Sequence, residues 1–161
     1  MQFDGESIER RDLIGALLAA IAVNLGGASP ALLFGADTEW FERPWIYPPE
    51  VLFPIVWTML FTLMGIAAFI IWRYGVNRRR VRVAIGLFVI QLILNISWTP
   101  AFFGLQDAGL SLVIILALWV AIVATIVAFH RVRRIAAWLL IPYLVWVTFA
   151  TYLNYLIYIG G

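Results

Sequence analysis

Five stretches of this chain run for at least twenty residues without one Asp, Glu, Lys or Arg: Leu13–Phe34, Val51–Trp72, Val83–Phe103, Leu110–Phe129 and Ile135–Ile159. A helix rises about 1.5 Å per residue, so about 20 apolar residues cross roughly 30 Å of hydrocarbon. Inside lipid the backbone must satisfy its own hydrogen bonds, and a helix does so within one segment. Strands of a transmembrane barrel would be about 10 residues long and alternate polar with apolar, a pattern absent here. The expected fold class is therefore an all-α membrane protein. It should be a five-transmembrane-helix bundle forming one domain over 1–161, with a long outer loop at 35–50.

Composition agrees with this reading. Of 161 residues, 64% are hydrophobic and 12% charged, against about 45–50% and about 25% in soluble domains. The first stretch follows Arg10 and Arg11 like a signal peptide, but it exceeds an h-region of roughly 7–15 residues and reads as a retained helix. The chain has no cysteine, so disulfides, thiolate nucleophiles and thiolate metal sites are excluded. Its one histidine, His130, sits beside Arg131 at a span end and reads as an interfacial basic residue. No metal site and no required cofactor are expected.

All eleven basic residues are arginine. Ten of them fall at the N-terminus (Arg10, Arg11), the second turn and its edges (Arg73, Arg78, Arg79, Arg80, Arg82) and the fourth turn (Arg131, Arg133, Arg134). Only Arg43 lies on the other side. The positive-inside rule then puts the N-terminus in the cytoplasm and the first loop and C-terminus outside, for a multi-pass protein of the plasma membrane. A net charge of +2 gives no reason to expect a nucleic-acid partner.

The spans lack the ionisable groups that proton pumps, charged-ring channels and voltage sensors use. No phosphate loop, carboxylate pair or Ser/His/Asp set is present. What stands out is 16% aromatic content with eight tryptophans. Trp72, Trp138 and Tyr158 fit an interfacial belt. Trp57, Trp98, Trp119 and Trp146 lie mid-span, where an indole N–H needs a partner, so these four are expected to face the bundle interior. In the third span Gln91, Asn95, Trp98 and Phe102 share one helical face, and in the fifth Tyr143, Trp146, Ala150 and Asn154 do the same. Facing one another, the two stripes would line an aromatic pocket; alternatively Gln91, Asn95 and Asn154 pair with one another as interhelical glue. Pro100 is expected to bend the third helix beside that stripe. The loop aromatics Trp40, Phe41, Trp45 and Tyr47 would be costly to leave in water, so the loop should be ordered and is a candidate lid.

Three motifs in order resemble the translocator protein family, also called TspO/MBR or tryptophan-rich sensory proteins. They are Trp45-Ile46-Tyr47-Pro48-Pro49 followed by Phe53 and Trp57, then Asn95-Ile96-Ser97-Trp98-Thr99-Pro100-Ala101-Phe102-Phe103-Gly104, and Pro142-Tyr143-Leu144-Val145-Trp146 with Phe149-Ala150-Thr151-Tyr152-Leu153-Asn154. The resemblance implies a homodimer of five-helix bundles whose pocket, capped by the first loop, takes tetrapyrroles such as protoporphyrin IX and haem, sterols in animal members, and certain synthetic drugs. By motif, the pocket residues would be Trp45, Trp57, Asn95, Trp98, Tyr143, Trp146, Ala150 and Leu153. Trp57 and Trp146 match the positions associated in bacterial members with light-dependent porphyrin breakdown. The sterol-binding pattern of animal members ends in a basic residue, whereas here no Lys or Arg follows Tyr155.

Three functions compete on these grounds. The first is a non-catalytic sensor or carrier in which indole and phenol rings stack on a macrocycle and Arg43 meets a propionate, unless Arg43 is paired with Glu39 or Glu42. The second is oxidative, light-dependent porphyrin degradation with Trp57 and Trp146 as the catalytic positions. The third is a structural or regulatory membrane partner, for which small residues such as Gly15, Ala19, Ala20 and Gly26 on the first helix offer packing faces.

Overall fold

A computed structural model describes residues 9–160; residues 1–8 and Gly161 lie outside the description. The helices are α1 (Arg10–Phe34), α2 (Leu52–Trp72), α3 (Arg79–Thr99), α4 (Ala108–His130), α5 (Arg134–Leu139) and α6 (Ile141–Gly160). A π-helical turn at Pro100–Gly104 prolongs α3, and α5 with α6 makes up the fifth span. Among the described residues there are thus five membrane-length segments and no strand.

α1 and α4 begin before their apolar stretches, where acidic side chains close the first turn. In α1 the Glu9 backbone N–H donates to Asp12 Oδ2 at 3.0 Å, half of a reciprocal cap. In α4 the Leu110 N–H donates to Asp107 Oδ1 at 2.8 Å. Such caps satisfy donors that the first turn would otherwise leave open.

Prolines shape the interior differently from one another. Pro30 lies within α1, where its missing N–H deprives the Gly26 carbonyl of a donor. The Ser29 hydroxyl donates to that carbonyl at 2.8 Å instead, so the helix runs on. At Pro100 the expected distortion takes the form of a wider turn, with the Leu105 N–H reaching Pro100 O at 2.9 Å. Pro142 has an effect the hydropathy pattern does not reveal. The stretch Ile135–Ile159, read as one uninterrupted helix, breaks at Leu140 (φ −90°, ψ −9°), two residues before a proline that cannot donate back along the helix.

The segments close into a ring. α1 packs on α2 and α3, α3 on α4, α4 on α5 and α6, and α2 on α5. The α1–α2 contact is close: a Cβ on Gly65 would fall 2.5 Å from the Ala20 backbone, and Gly15 and Gly27 lie against Phe69 and Phe61. The small residues Gly15 and Ala20 therefore serve contacts inside the chain. Asn24 Nδ2 donates across this seam to Thr62 Oγ1 at 3.0 Å, and Arg73 Nε meets Asp12 Oδ1 at 3.3 Å at the arginine-rich end. The core below the middle is aliphatic and aromatic, with Leu60, Met64, Ile71, Phe88, Ile122, Phe129 and Val147 buried. Leu17, Leu18, Leu25, Leu32 and Leu33 of α1 are exposed, as a lipid-facing surface requires. The protein is a multi-pass membrane protein, with the bilayer as its surroundings.

Candidate functional site

α6 holds α4 by close backbone packing, but α2 and α3 reach it through large side chains. This separation follows from residue size: Trp57, Asn95, Trp98, Tyr143 and Trp146 occupy the positions where small residues would let helices approach. The two stripes expected from helical spacing do face each other. Tyr143 is the hinge of their contact. Its hydroxyl accepts from Asn95 Nδ2 and donates to Gln91 Oε1, both at 2.8 Å, with all three residues buried. One level nearer the loop, Trp98 Nε1 donates to Asn154 Oδ1 at 3.0 Å, and Asn154 Nδ2 donates to the Ala108 carbonyl at 3.0 Å.

The partners differ from those a glue-only reading gives. Gln91, Asn95 and Asn154 do not pair with one another; each is bonded to an aromatic side chain. Polar groups and rings thus form one fabric. Trp57 stacks on Phe61 (5.2 Å between centroids) and meets Tyr143 edge-on at 6.3 Å. Trp98 stacks on Phe102 at 4.8 Å and 16°. Trp146 contacts Phe53 and Phe149 at 5.9 and 5.5 Å. Trp98 belongs to both the main core and a second cluster at the loop end, built on Phe102, Leu153 and Ile157.

The 35–50 loop lies on this second cluster. Trp40 and Phe41 meet Phe102 at 5.0 and 5.5 Å, Phe41 meets Tyr47, and Tyr47 meets Phe53. Outside the ring contacts, Arg43 Nη2 pairs with Glu50 Oε1 at 2.5 Å, donates to Thr38 Oγ1 and lies 5.4 Å above the Tyr47 ring. The carboxylate partner is Glu50, not Glu39 or Glu42. The Tyr47 phenol is pushed above its ordinary value chiefly by burial, with Glu50 adding and Arg43 opposing.

The structure gathers Trp57, Asn95, Trp98, Tyr143 and Trp146 between α2, α3 and α6, with Ala150 half-buried beside the core and Leu153 buried under the loop. It does not bring Trp45 to them, since that side chain is 87% exposed. Arg43 also stays on the outer face of the loop. Trp119 corrects the expectation that all four mid-span indoles face inward. It is 37% exposed on the flank of α4 and satisfies its N–H by donating to Thr148 Oγ1 of α6 at 2.8 Å. Trp40 and Phe53 enter the site, although the sequence marks the first only as a lid aromatic and the second only within the loop motif, and neither among the pocket residues.

Among the described residues, three buried side-chain polar atoms have no partner: Trp40 Nε1, Gln91 Nε2 and Trp146 Nε1. All three are donors, and buried donors are almost always satisfied. Among the described residues no group of three or more His, Cys, Asp or Glu side chains could hold a metal ion.

The sequence profile of the TspO/MBR family matches residues 16–159, which takes in every element of this site. The chain belongs to the TspO/MBR family. It is 48% identical over 115 residues to the tryptophan-rich protein TspO of Chlorobaculum tepidum, covering 71% of this chain and 73% of that one. It is 39% identical over 153 residues to the protein of the same name in Archaeoglobus fulgidus (91% and 95% covered) and 37% identical over 128 residues to the human translocator protein (77% and 76%). Membership fits the five-span bundle, and the motifs that carried the resemblance fall on the 35–50 loop with the start of α2, the α3–π segment and α6.

Proposed function

We propose that this TspO/MBR protein binds a porphyrin or related planar tetrapyrrole between α2, α3 and α6, under the 35–50 loop, as a sensor or carrier of that ligand. One observation carries the reading: the unpartnered donors at Trp40, Gln91 and Trp146 lie in or beside a wall of stacked rings. A flat guest with peripheral acceptor atoms would cover the rings and meet those donors. Each favourable aromatic contact adds about 0.5–1.5 kcal/mol beyond burial, so three or four are compatible with micromolar binding. The arginine asymmetry puts the loop on the outer side of the plasma membrane, with the N-terminus cytoplasmic. The protein acts as a homodimer.

Titration of the purified protein with protoporphyrin IX, haem and a sterol, followed by tryptophan quenching, tests this. Saturable quenching by the tetrapyrroles that weakens in Trp146→Phe is expected; absence of saturation for both tetrapyrroles would end the proposal. A second, enzymatic reading is favoured by the edge contact of Trp57 with Tyr143, which joins an oxidisable indole to an oxidisable phenol within the wall. Illumination of the protoporphyrin complex separates the two: the enzymatic reading requires porphyrin absorbance to fall in the wild type and to persist in Trp57→Phe and Trp146→Phe.

A further inference from the structure

At the opposite end of the bundle, the turn from α4 to α5 places His130, Arg131, Arg133 and Arg134 within five residues. His130, Val132, Arg133, Arg134, Ile135 and Trp138 line a groove of about 680 Å³ there. We propose that this groove binds the phosphodiester headgroup of an anionic phospholipid.

The lining carries the inference. Among the described residues, its lining holds basic side chains and no carboxylate. Arg133 is engaged in another contact; the Arg134 guanidinium is the exposed cation of the groove, and the exposed His130 ring offers a hydrogen-bond donor. Trp138 follows Arg134 by four residues, so the two share a helical face, and its indole is 68% exposed. An exposed indole at a span end marks the headgroup level of the bilayer. Val132 and Ile135 are half-buried and supply an apolar floor suited to a glycerol backbone and the first methylenes of an acyl chain. A free inorganic anion would have no use for that floor or for the indole.

Topology alone accounts for arginines on this side but not for a concavity between them. The α2–α3 turn makes the comparison: it carries Arg78, Arg79, Arg80 and Arg82, yet Arg82 Nη1 donates to the Asn77 carbonyl at 2.8 Å and so closes its own turn. The fourth turn instead lines the groove with His130, Arg133 and Arg134.

The test uses the full-length protein in vesicles of phosphatidylcholine and phosphatidylglycerol. Bromine on the acyl chains of one lipid or the other quenches nearby tryptophans, and the difference between wild type and Trp138→Phe isolates Trp138. At equal bulk fraction, brominated phosphatidylglycerol is expected to be enriched about fivefold over brominated phosphatidylcholine beside Trp138, the factor that one basic residue near an anionic surface supplies. The enrichment should vanish in His130→Gln/Arg134→Gln, persist in Arg134→Lys, and persist in Arg79→Gln/Arg80→Gln. Equal quenching by the two lipids in the wild type, or unchanged enrichment in the double variant, would overturn the proposal. Loss of enrichment on adding millimolar inorganic phosphate at constant ionic strength would assign the groove to a free anion and overturn it as well.

Discussion

Replacing Tyr143 with Phe removes one oxygen and leaves two buried groups without partners. Asn95 Nδ2 loses its acceptor and Gln91 Oε1 loses its donor, each across 2.8 Å. Gln91 Nε2 is already unpartnered, so the whole Gln91 amide would be left unsatisfied in a side chain 1% exposed. Hydrogen bonds between membrane helices average about 0.6 kcal/mol and reach about 1.7, while an orphaned buried group costs about 1–3 kcal/mol. Two weakened groups at the low end of these ranges give a loss of about 2 kcal/mol for Tyr143→Phe. Adding Gln91→Leu removes the stranded amide, so Tyr143→Phe/Gln91→Leu should recover about 1 kcal/mol of that loss. The assay is unfolding in mixed micelles titrated with a denaturing detergent, with protoporphyrin affinity measured on the same variants. If Tyr143→Phe is as stable as the wild type, or if Gln91→Leu deepens the loss, then Tyr143 is not the hinge between α3 and α6. A change in affinity without a change in stability would assign the phenol to ligand contact alone.

Further outcomes follow from other contacts. Trp98→Phe keeps a ring on Phe102 but strands Asn154 Oδ1; porphyrin titrations should show affinity falling about three- to tenfold, in line with one lost hydrogen bond in the wall. Gly65→Leu should separate α1 from α2, because its Cβ meets the Ala20 backbone at 2.5 Å, whereas Gly86→Leu meets nothing within 4 Å; thermal unfolding in detergent should distinguish them, and equal stability would contradict the close approach. Burial holds the Tyr47 phenol above its ordinary 10.0, so docking of the loop favours the neutral form. That contribution is complete below pH 10 and is lost as pH rises through the raised value. Phenolate absorbance, taken as wild type minus Tyr47→Phe, should show Tyr47 ionising later than a free phenol.

Hydropathy made the five spans legible because a bilayer leaves one backbone solution and the arginines punctuate it. Helical period placed Gln91, Asn95 and Trp98 on one face and Tyr143, Trp146 and Asn154 on another, and these faces meet. Position along a helix carries no information on direction around it, which is why Trp119, mid-span like the other indoles, sits on the flank. Its partner Thr148 supplies a hydroxyl where the interior reading assumed none was at hand. The break at Leu140 escaped because apolar content on both sides of Pro142 is continuous. Trp40 belongs to a segment without regular structure, where neither period nor burial pattern exists to point a side chain.

The closed loop has a consequence for occupancy. Trp40, Phe41 and Tyr47 already stack on Phe102 and Phe53, so the resting protein carries its own surrogate guest. Under the proposed function, entry of a macrocycle would exchange one set of ring contacts for another, and its dissociation constant would report their difference. Variants that loosen the loop would tighten apparent binding, even though they remove aromatic surface from the fold.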